Sequence, residues 1–384
     1  MGPEIVATVQ VPLQWGHLQL KTGTDGWPAE VRGDLCWDSS TFQSEEDFTL
    51  ILTDDEVAEV GTALRNLKEL GREGHEVSKQ NFILPTLGAK LDKLAKDVHS
   101  GKGFATIKGL TPERFPEENR PTNEDMISIF LGISSYIGAT RGRQDENGNM
   151  LMHIRDAKLS RTPQCDRPTR YSSRASAFHT DTFCDILALQ TRSCAAKGGS
   201  NLLASSWTVY NELKATYPKF CDLLAEPKWA FDSRGSFLKS NTRPLLYFHG
   251  GKIMMNFARE PLLGLRGVAR ADGLAELTES QREALDAVER IATQKQIKLD
   301  AESGDMLFIN NHAVLHSREA FEDDPANPRY LMRAWLRNPE LKWKLPRHLQ
   351  DGNTRIYDDD SLPQKWNLAD APKLKFELQE RLTS

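Results

Sequence analysis

His179 and Asp181 lie two residues apart in Phe178-His179-Thr180-Asp181-Thr182-Phe183, and a second histidine cluster, Asn310-Asn311-His312-Ala313-Val314-Leu315-His316-Ser317-Arg318, follows far downstream. Two imidazoles and one carboxylate gathered on one side of a metal suit Fe(II) oxidative chemistry, because the opposite coordination positions stay open. Alone, the first pair carries little weight: nine histidines and 54 acidic residues yield about one His-x-Asp or His-x-Glu by chance. Its surroundings add to it. The apolar run Ile186-Leu187-Ala188-Leu189 follows. Residues two apart on a strand point to one side, so a strand over Ala177 to Phe183 predicts His179 and Asp181 facing a single ion. The competing reading is a half-buried strand with a hydrogen-bonded histidine and a surface aspartate. His312 and His316 are rivals for the second imidazole, since an offset of four does not bring both to one ion.

Past the turn at Gly304-Asp305, Met306-Leu307-Phe308-Ile309 has the composition of a buried strand, and His316-Ser317-Arg318 follows on the next stretch. Arg329 and Arg333 then lie four apart in an otherwise apolar segment, Tyr330-Leu331-Met332 and Ala334-Trp335-Leu336. Even spacing sends both guanidinium groups to one face. Two arginines on a buried face call for anionic partners, because an unpaired buried charge is strongly unfavourable.

The elements that must position these residues change character along the chain. The capping box Thr53-Asp54-Asp55-Glu56 opens an amphipathic helix through Val57, Val60, Leu64, Leu67 and Leu70, and a further helix is expected over Leu84 to Val98. Gly103 to Leu110 reads as a strand, and Thr122-Asn123-Glu124-Asp125 caps a helix through Met126, Ile129, Phe130, Ile133 and Tyr136. Beyond residue 140, short strands are predicted over Met150–Ile154, Ile186–Arg192, Leu245–His249, Lys252–Phe257, Gln296–Leu299, Met306–Asn310 and Tyr330–Leu336. Two helices interrupt them, one after Ser205-Ser206 and one opened by Thr278-Glu279-Ser280-Gln281. Many short strands with turn residues between them predict an α+β protein with a sandwich or jelly-roll core and flanking helices.

A chain of 384 residues could hold two domains, but large β folds often run past two hundred residues as one unit. The expectation is a single catalytic domain over 1–384, with accessory strands and helices over 1–99, a core over 100–340 and a wrapping tail over 341–384. That tail, with Pro346, Pro363, Pro372 and Asp358-Asp359-Asp360, either wraps the body or contacts a second subunit in a homo-oligomer. A net charge of −5 with no basic stripe argues against nucleic acid as a partner. No apolar run reaches the roughly eighteen residues of a membrane span, and Met1-Gly2 lacks the Ser or Thr of a myristoylation site. Five widely spaced cysteines, Cys36, Cys165, Cys184, Cys194 and Cys221, form no Cys-x-x-Cys and favour a reducing cytoplasm.

Together these pieces resemble the taurine dioxygenase/clavaminate synthase superfamily of Fe(II)- and 2-oxoglutarate-dependent oxygenases. The resemblance rests on His179-Thr180-Asp181, on Lys197-Gly198-Gly199-Ser200-Asn201 leading to Ala204-Ser205-Ser206, on Gly304-Asp305 through His316-Ser317-Arg318, and on Arg329 with Arg333. The interval of 137 residues between His179 and His316 is similar to the clavaminate synthase-like branch. The resemblance implies a double-stranded β-helix, with His179, Asp181 and His316 as iron ligands. It also implies Arg329 as the clamp on the distal carboxylate of 2-oxoglutarate, and it favours His316 over His312. Asn201 stands where the family commonly has a Thr that shares that carboxylate. Arg333 occupies the place from which relatives hold a substrate's anionic group, and Thr182 and Phe183 are expected beside the metal. His153, Asn256 and Arg259 are lesser candidates, each with a structural role as the simpler reading. The implied reaction consumes 2-oxoglutarate and O2, releases succinate and CO2, and oxidises an aliphatic C–H of a small anionic substrate such as an amino acid. A non-catalytic jelly-roll binding protein and a metal-dependent hydrolase are the alternatives.

Overall fold

Two sheets face each other and present the histidines between them. The computed structural model describes residues 24–158, 160–232, 242–264, 269–325 and 328–369. The Met1-Gly2 site and Pro372 lie outside the described residues. The larger sheet has the strand order Thr49–Ile51, Phe104–Lys108, Met306–Asn310, Ile186–Ser193, Tyr330–Arg337 and Thr140–Gly142, and Leu151–Ile154 also pairs with Tyr330–Arg337. The first pair is parallel and the others are antiparallel. The smaller sheet runs Ile297–Leu299, Asn201–Ser205, Val314–Arg318, Ser176–His179, antiparallel throughout. This is the double-stranded β-helix expected, with helices outside it.

Alternation along the strands decides which residues face the site. On the outer face of the large sheet, Ala188, Met306, Phe308, Met332, Ala334 and Leu336 pack against Val60, Leu64, Leu91, Phe130 and Ile133 of the helices Asp54–Glu69, Leu87–Ser100 and Asn123–Ile137. On the inner face, Leu187, Leu189, Leu307, Ile309, Leu331 and Trp335 join the core that includes Leu203, Val314 and Leu315 of the small sheet. Burying each such side chain contributes about 1.5–3 kcal/mol. Arg333 takes the inward position between Leu331 and Trp335, so a charge is placed where the row would otherwise be apolar.

The three expected capping boxes all form: Thr53 with Glu56, Thr122 with Asp125, and Thr278 with Gln281. The helices Ser206–Thr216, Pro218–Ala225 and Glu279–Lys295 cover the small sheet's side of the core through Val209, Leu213, Cys221, Leu285 and Val288. The described part of the tail, residues 341–369, folds back onto its own body. Its helix Arg347–Tyr357 buries Leu349, Ile356 and Tyr357, and Lys365 bridges to Asn149. Among the described residues no helix is long and apolar enough to cross a membrane.

Asp305, at the turn before Met306–Asn310, is 7% exposed, and burial pushes its carboxyl up to about 6, against the lowering hydrogen bond from the Glu302 N–H. The unfolded chain then releases this proton near pH 4 while the native state keeps it. This contribution therefore favours folding most below pH 4 and fades as pH rises towards 6. Asp305→Asn should remove that component, stabilising the protein at pH 7.5 by something on the order of 2 kcal/mol. Denaturant melts of both proteins at pH 4.5 and 7.5 measure it; an equal pH response in the two would contradict the assignment.

Candidate metal centre

His179 ends the strand Ser176–His179 and lies directly opposite His316 of Val314–Arg318 in antiparallel register. Cross-strand partners on one face sit close enough for their side chains to meet, and here the ring centroids are 4.2 Å apart. The two imidazoles, 137 residues apart in the chain, are thus brought together by one backbone pairing.

Asp181 arrives differently from the sequence expectation. The strand stops at His179, and Thr180 to Cys184 form a turn, so the two-residue spacing on a strand does not place the carboxylate. Asn311 does. The Asp181 N–H donates to Asn311 Oδ1 (2.7 Å), and Asn311 Nδ2 donates to the carbonyls of Asp181 and Cys184. Thr180 anchors the same turn, its N–H donating to the Phe257 carbonyl and its hydroxyl accepting from the Phe257 N–H. With the loop held, one ligand atom from each of His179, Asp181 and His316 falls within 4.8 Å of the others.

The protonation states suit a divalent cation. His179 Nδ1 lies 2.9 Å from the Ala177 carbonyl, which fixes the ring with its Nε2 lone pair free. Burial, reinforced by His179, pushes His316 down to about 3, so its imidazole is neutral. Burial alone would raise the Asp181 carboxyl, but Arg333, then His316 and His179, outweigh it and hold it at about 2. Arg333 Nη1 is 3.1 Å from Asp181 Oδ2, and the Trp335 indole N–H donates to the same oxygen at 2.7 Å. His312 is no rival: its Nε2 is 3.0 Å from Asp185, whose carboxylate also accepts from Asn353 Nδ2 at 2.7 Å.

Two cavities adjoin this cluster. The smaller, about 80 Å³, is lined by His179, His316, Asn201, Arg318, Arg329 and Arg333. Arg329 is 5% exposed, its Nε donates to the Gly199 carbonyl, and no carboxylate among the described residues forms an ion pair with its guanidinium. Burial, with Arg318 adding repulsion, lowers it to about 9. Gly199, at φ 80°, makes this approach achievable, since a Cβ there would stand 2.9 Å from Arg329 Cδ. A buried cation without a counter-ion beside a metal-ligand set fits an anionic co-substrate.

The larger cavity, about 260 Å³, is lined by His179, Asp181, Thr182, Arg259, Arg333 and Trp335, with Gln144, Arg170 and Glu260 further round the wall. Thr182 borders it with its carbonyl bonded to Asn256. Phe183 reaches only its edge; the ring is 1% exposed and packs against Gly352 of the tail helix. His153 is a structural residue, bonded to the Tyr330 hydroxyl and the Asn367 carbonyl. Sequence reasoning missed Gln144, Trp335, Asn311 and Glu260, none of which sits in a recognisable spacing with the histidines.

The jelly roll, a His/Asp/His cluster able to hold an ion, and a buried arginine without an acidic partner among the described residues are the features of the class of non-haem iron, 2-oxoglutarate-dependent oxygenases. Residues 64–335 match the family model described as taurine catabolism dioxygenase TauD, TfdA family, and the chain belongs to that family. It is 34% identical over 344 residues to the taurine hydroxylase-like protein SAT17 of Stachybotrys chartarum (strain CBS 109288 / IBT 7711), covering 88% of this chain and 87% of the relative. FR-33289 synthase of Streptomyces rubellomurinus (strain ATCC 31215) is 24% identical over 322 residues, covering 80% and 90%. Among solved structures, asparagine oxygenase in complex with Fe(II), 2S,3S-3-hydroxyasparagine and succinate superposes with TM-score 0.58 at 14% identity, over 75% of this chain and 93% of that one. The non-haem iron oxygenase OrfP with Fe and alpha-ketoglutaric acid gives TM-score 0.52 at 18% identity, over 75% and 94%. The protein is an Fe(II)- and 2-oxoglutarate-dependent dioxygenase.

Two substitutions test how the carboxylate is held. Asn311→Ala removes three hydrogen bonds from the Asp181 loop and should weaken Fe(II) binding roughly 10- to 100-fold while lowering stability by about 1–3 kcal/mol. Trp335→Phe deletes only the indole donor and should weaken the metal by about tenfold with a smaller loss of stability. Metal titration and thermal melts separate the two; unchanged affinity in Asn311→Ala would show that the loop is positioned by other contacts.

Proposed function

We propose that His179, Asp181 and His316 hold the Fe(II), that Arg329 with Asn201 binds the far carboxylate of 2-oxoglutarate, and that the larger cavity receives a small acid, an amino acid or related metabolite, whose aliphatic C–H is oxidised. The observation that carries this reading is the buried guanidinium of Arg329, without an acidic partner among the described residues and sharing a cavity with both histidines. Bound iron, with 2-oxoglutarate and O2, supplies the oxidising power that cleaves the C–H bond, with release of succinate and CO2.

The protein's part is binding, orientation and charge. The Arg329 fork donates two parallel N–H bonds to a carboxylate, and the Asn201 amide adds a third from the same cavity. Asp181 remains ionised without the metal's help because Arg333 and Trp335 compensate it. Arg333 spends its Nε on Gln144 and its Nη1 on Asp181, which leaves Nη2 for the acid group of a substrate. Thr182 and Phe183 bound the same space. Neighbouring structures support an amino-acid substrate: one holds 3-hydroxyasparagine and another (3R,4R)-dihydroxy-L-Arg. A hydrolase would use the same ligand set but gives Arg329 no task. The whole chain acts as one catalytic domain, and its five unpaired thiols support a cytoplasmic setting.

Anaerobic addition of Fe(II) and 2-oxoglutarate should produce a weak visible charge-transfer absorption, which His179→Ala abolishes. Arg329→Ala should lower apparent 2-oxoglutarate affinity by roughly 10- to 100-fold, the loss expected for charged hydrogen bonds. A folded protein that binds iron yet shows no such band would refute the oxygenase site. Arg333→Ala should raise KM for substrate; full affinity in that variant would remove the acid-group contact from the reading.

A further inference from the structure

Arg170, Arg259 and Glu260 line the larger cavity together with His179, Asp181 and Arg333. Each carries a buried polar atom without a hydrogen-bond partner: Arg170 Nε, Arg259 Nη1 and Glu260 Oε1. The two arginines are otherwise accommodated. Arg259 Nη2 is 2.6 Å from Asp286, and Arg170 stacks over Tyr171 with its centre 4.9 Å from the ring. Glu260 differs, since its carboxylate forms no ion pair or hydrogen bond with any described residue.

A carboxylate oxygen withdrawn from water without a donor is unfavourable, and here it stays so although Arg170 lies within its electrostatic field. The backbone that carries the side chain is fixed. Glu260 opens the short helix Glu260–Leu263, where Pro261 fixes the backbone and Leu262 is buried in the core. The cavity wall therefore holds one carboxylate oxygen that lacks a donor, close to Arg170. A substrate with only acid groups would be drawn to Arg333 and repelled by Glu260; one that also carries an amine would satisfy both.

We propose that Glu260 receives a protonated amine of the substrate, so that the cavity selects zwitterions, with the acid group on the Arg333 side and the ammonium on Glu260. This rests on the oxygenase reading of the site and on Arg333 as its acid-group contact. The three N–H bonds of an ammonium supply the donor that Glu260 Oε1 lacks. Its charge also distinguishes amino acids from their deaminated counterparts, which the arginines alone would bind equally well. Glu260 is thus a specificity residue rather than a member of the iron site.

The test uses the full chain loaded anaerobically with Fe(II) and 2-oxoglutarate. The probes are the common L-amino acids and taurine, each set beside the matching carboxylate or sulfonate that lacks the amine. The readouts are the shift of the visible band on binding and succinate release in air. The wild type should respond to one or more amine-bearing probes and bind the matched acid at least roughly tenfold more weakly. Glu260→Gln, equal in volume, should lose that preference, and Glu260→Asp should keep it at lower affinity. Equal binding of both members of a pair, an unchanged preference in Glu260→Gln, or no response to any amine-bearing probe would overturn the proposal. The visible band before any probe is added separates the two readings: its absence condemns the oxygenase site, whereas its presence with no amine preference condemns Glu260 alone.

Discussion

An ionised carboxylate inside an apolar barrel is the constraint around which the site is organised. Asp181 is 8% exposed, and burial by itself would drive it to take up a proton. Arg333 and Trp335, two positions apart on the inner face of Tyr330–Arg337, supply the positive charge and the indole donor that prevent this. The strand Tyr330–Arg337, next to the edge of the larger sheet, therefore does two jobs, with Leu331 and Trp335 packing into the core and Arg333 crossing the gap to the Asp181 loop. A cation supported by such a set gains a full negative charge from one ligand and two neutral lone pairs from the others, the pattern that suits Fe(II).

Around that centre the supports come from distant parts of the chain. Asn311 brackets the Asp181 backbone, and the next residue, His312, bonds to Asp185, so a single turn braces both ends of the 181–185 loop. The tail helix completes the brace, with Asn353 donating to the Phe183 carbonyl and to Asp185, and the Tyr357 hydroxyl accepting from the Asp185 N–H. Gly352 leaves the space that the Phe183 ring fills. The tail is thereby part of the site's scaffold although none of its described residues lines either cavity.

Local signals carried much of the fold. Capping boxes at Thr53, Thr122 and Thr278 marked helix starts, and alternating or continuous apolar runs located Ile186–Ser193, Met306–Asn310 and Tyr330–Arg337 to within a residue or two. What escaped was set by contacts across the chain. Asn201–Ser205 was not among the expected strands because its strand character comes from pairing with Val314–Arg318 and Ile297–Leu299. Arg347–Tyr357 hid in a proline-punctuated, acidic tail whose apolar residues are few but all turned inward. The pairing of His179 with His316 was legible; Arg329 and Arg333 do line one cavity, but Arg329 precedes the strand that was expected to carry both. The means of holding Asp181 was not, because Asn311 bonds to it across 130 residues and leaves no periodic trace.

Arg329 directly precedes the strand Tyr330–Arg337 and Arg333 lies within it, and both line the smaller cavity, so their separation is set by extended backbone, at most about 13 Å for four residues. In the proposed roles that interval is a ruler: one mark would take the co-substrate's tail, the other the acid group of the molecule to be oxidised, with His179 and His316 bordering the same cavity. Antiparallel pairing on both sides holds Arg333, and the bond from Arg329 Nε to the Gly199 carbonyl holds Arg329. Which carbon of a bound molecule faces the oxidant is then counted outward from a fixed point, and a homologue one methylene longer would present a different C–H rather than the same one displaced.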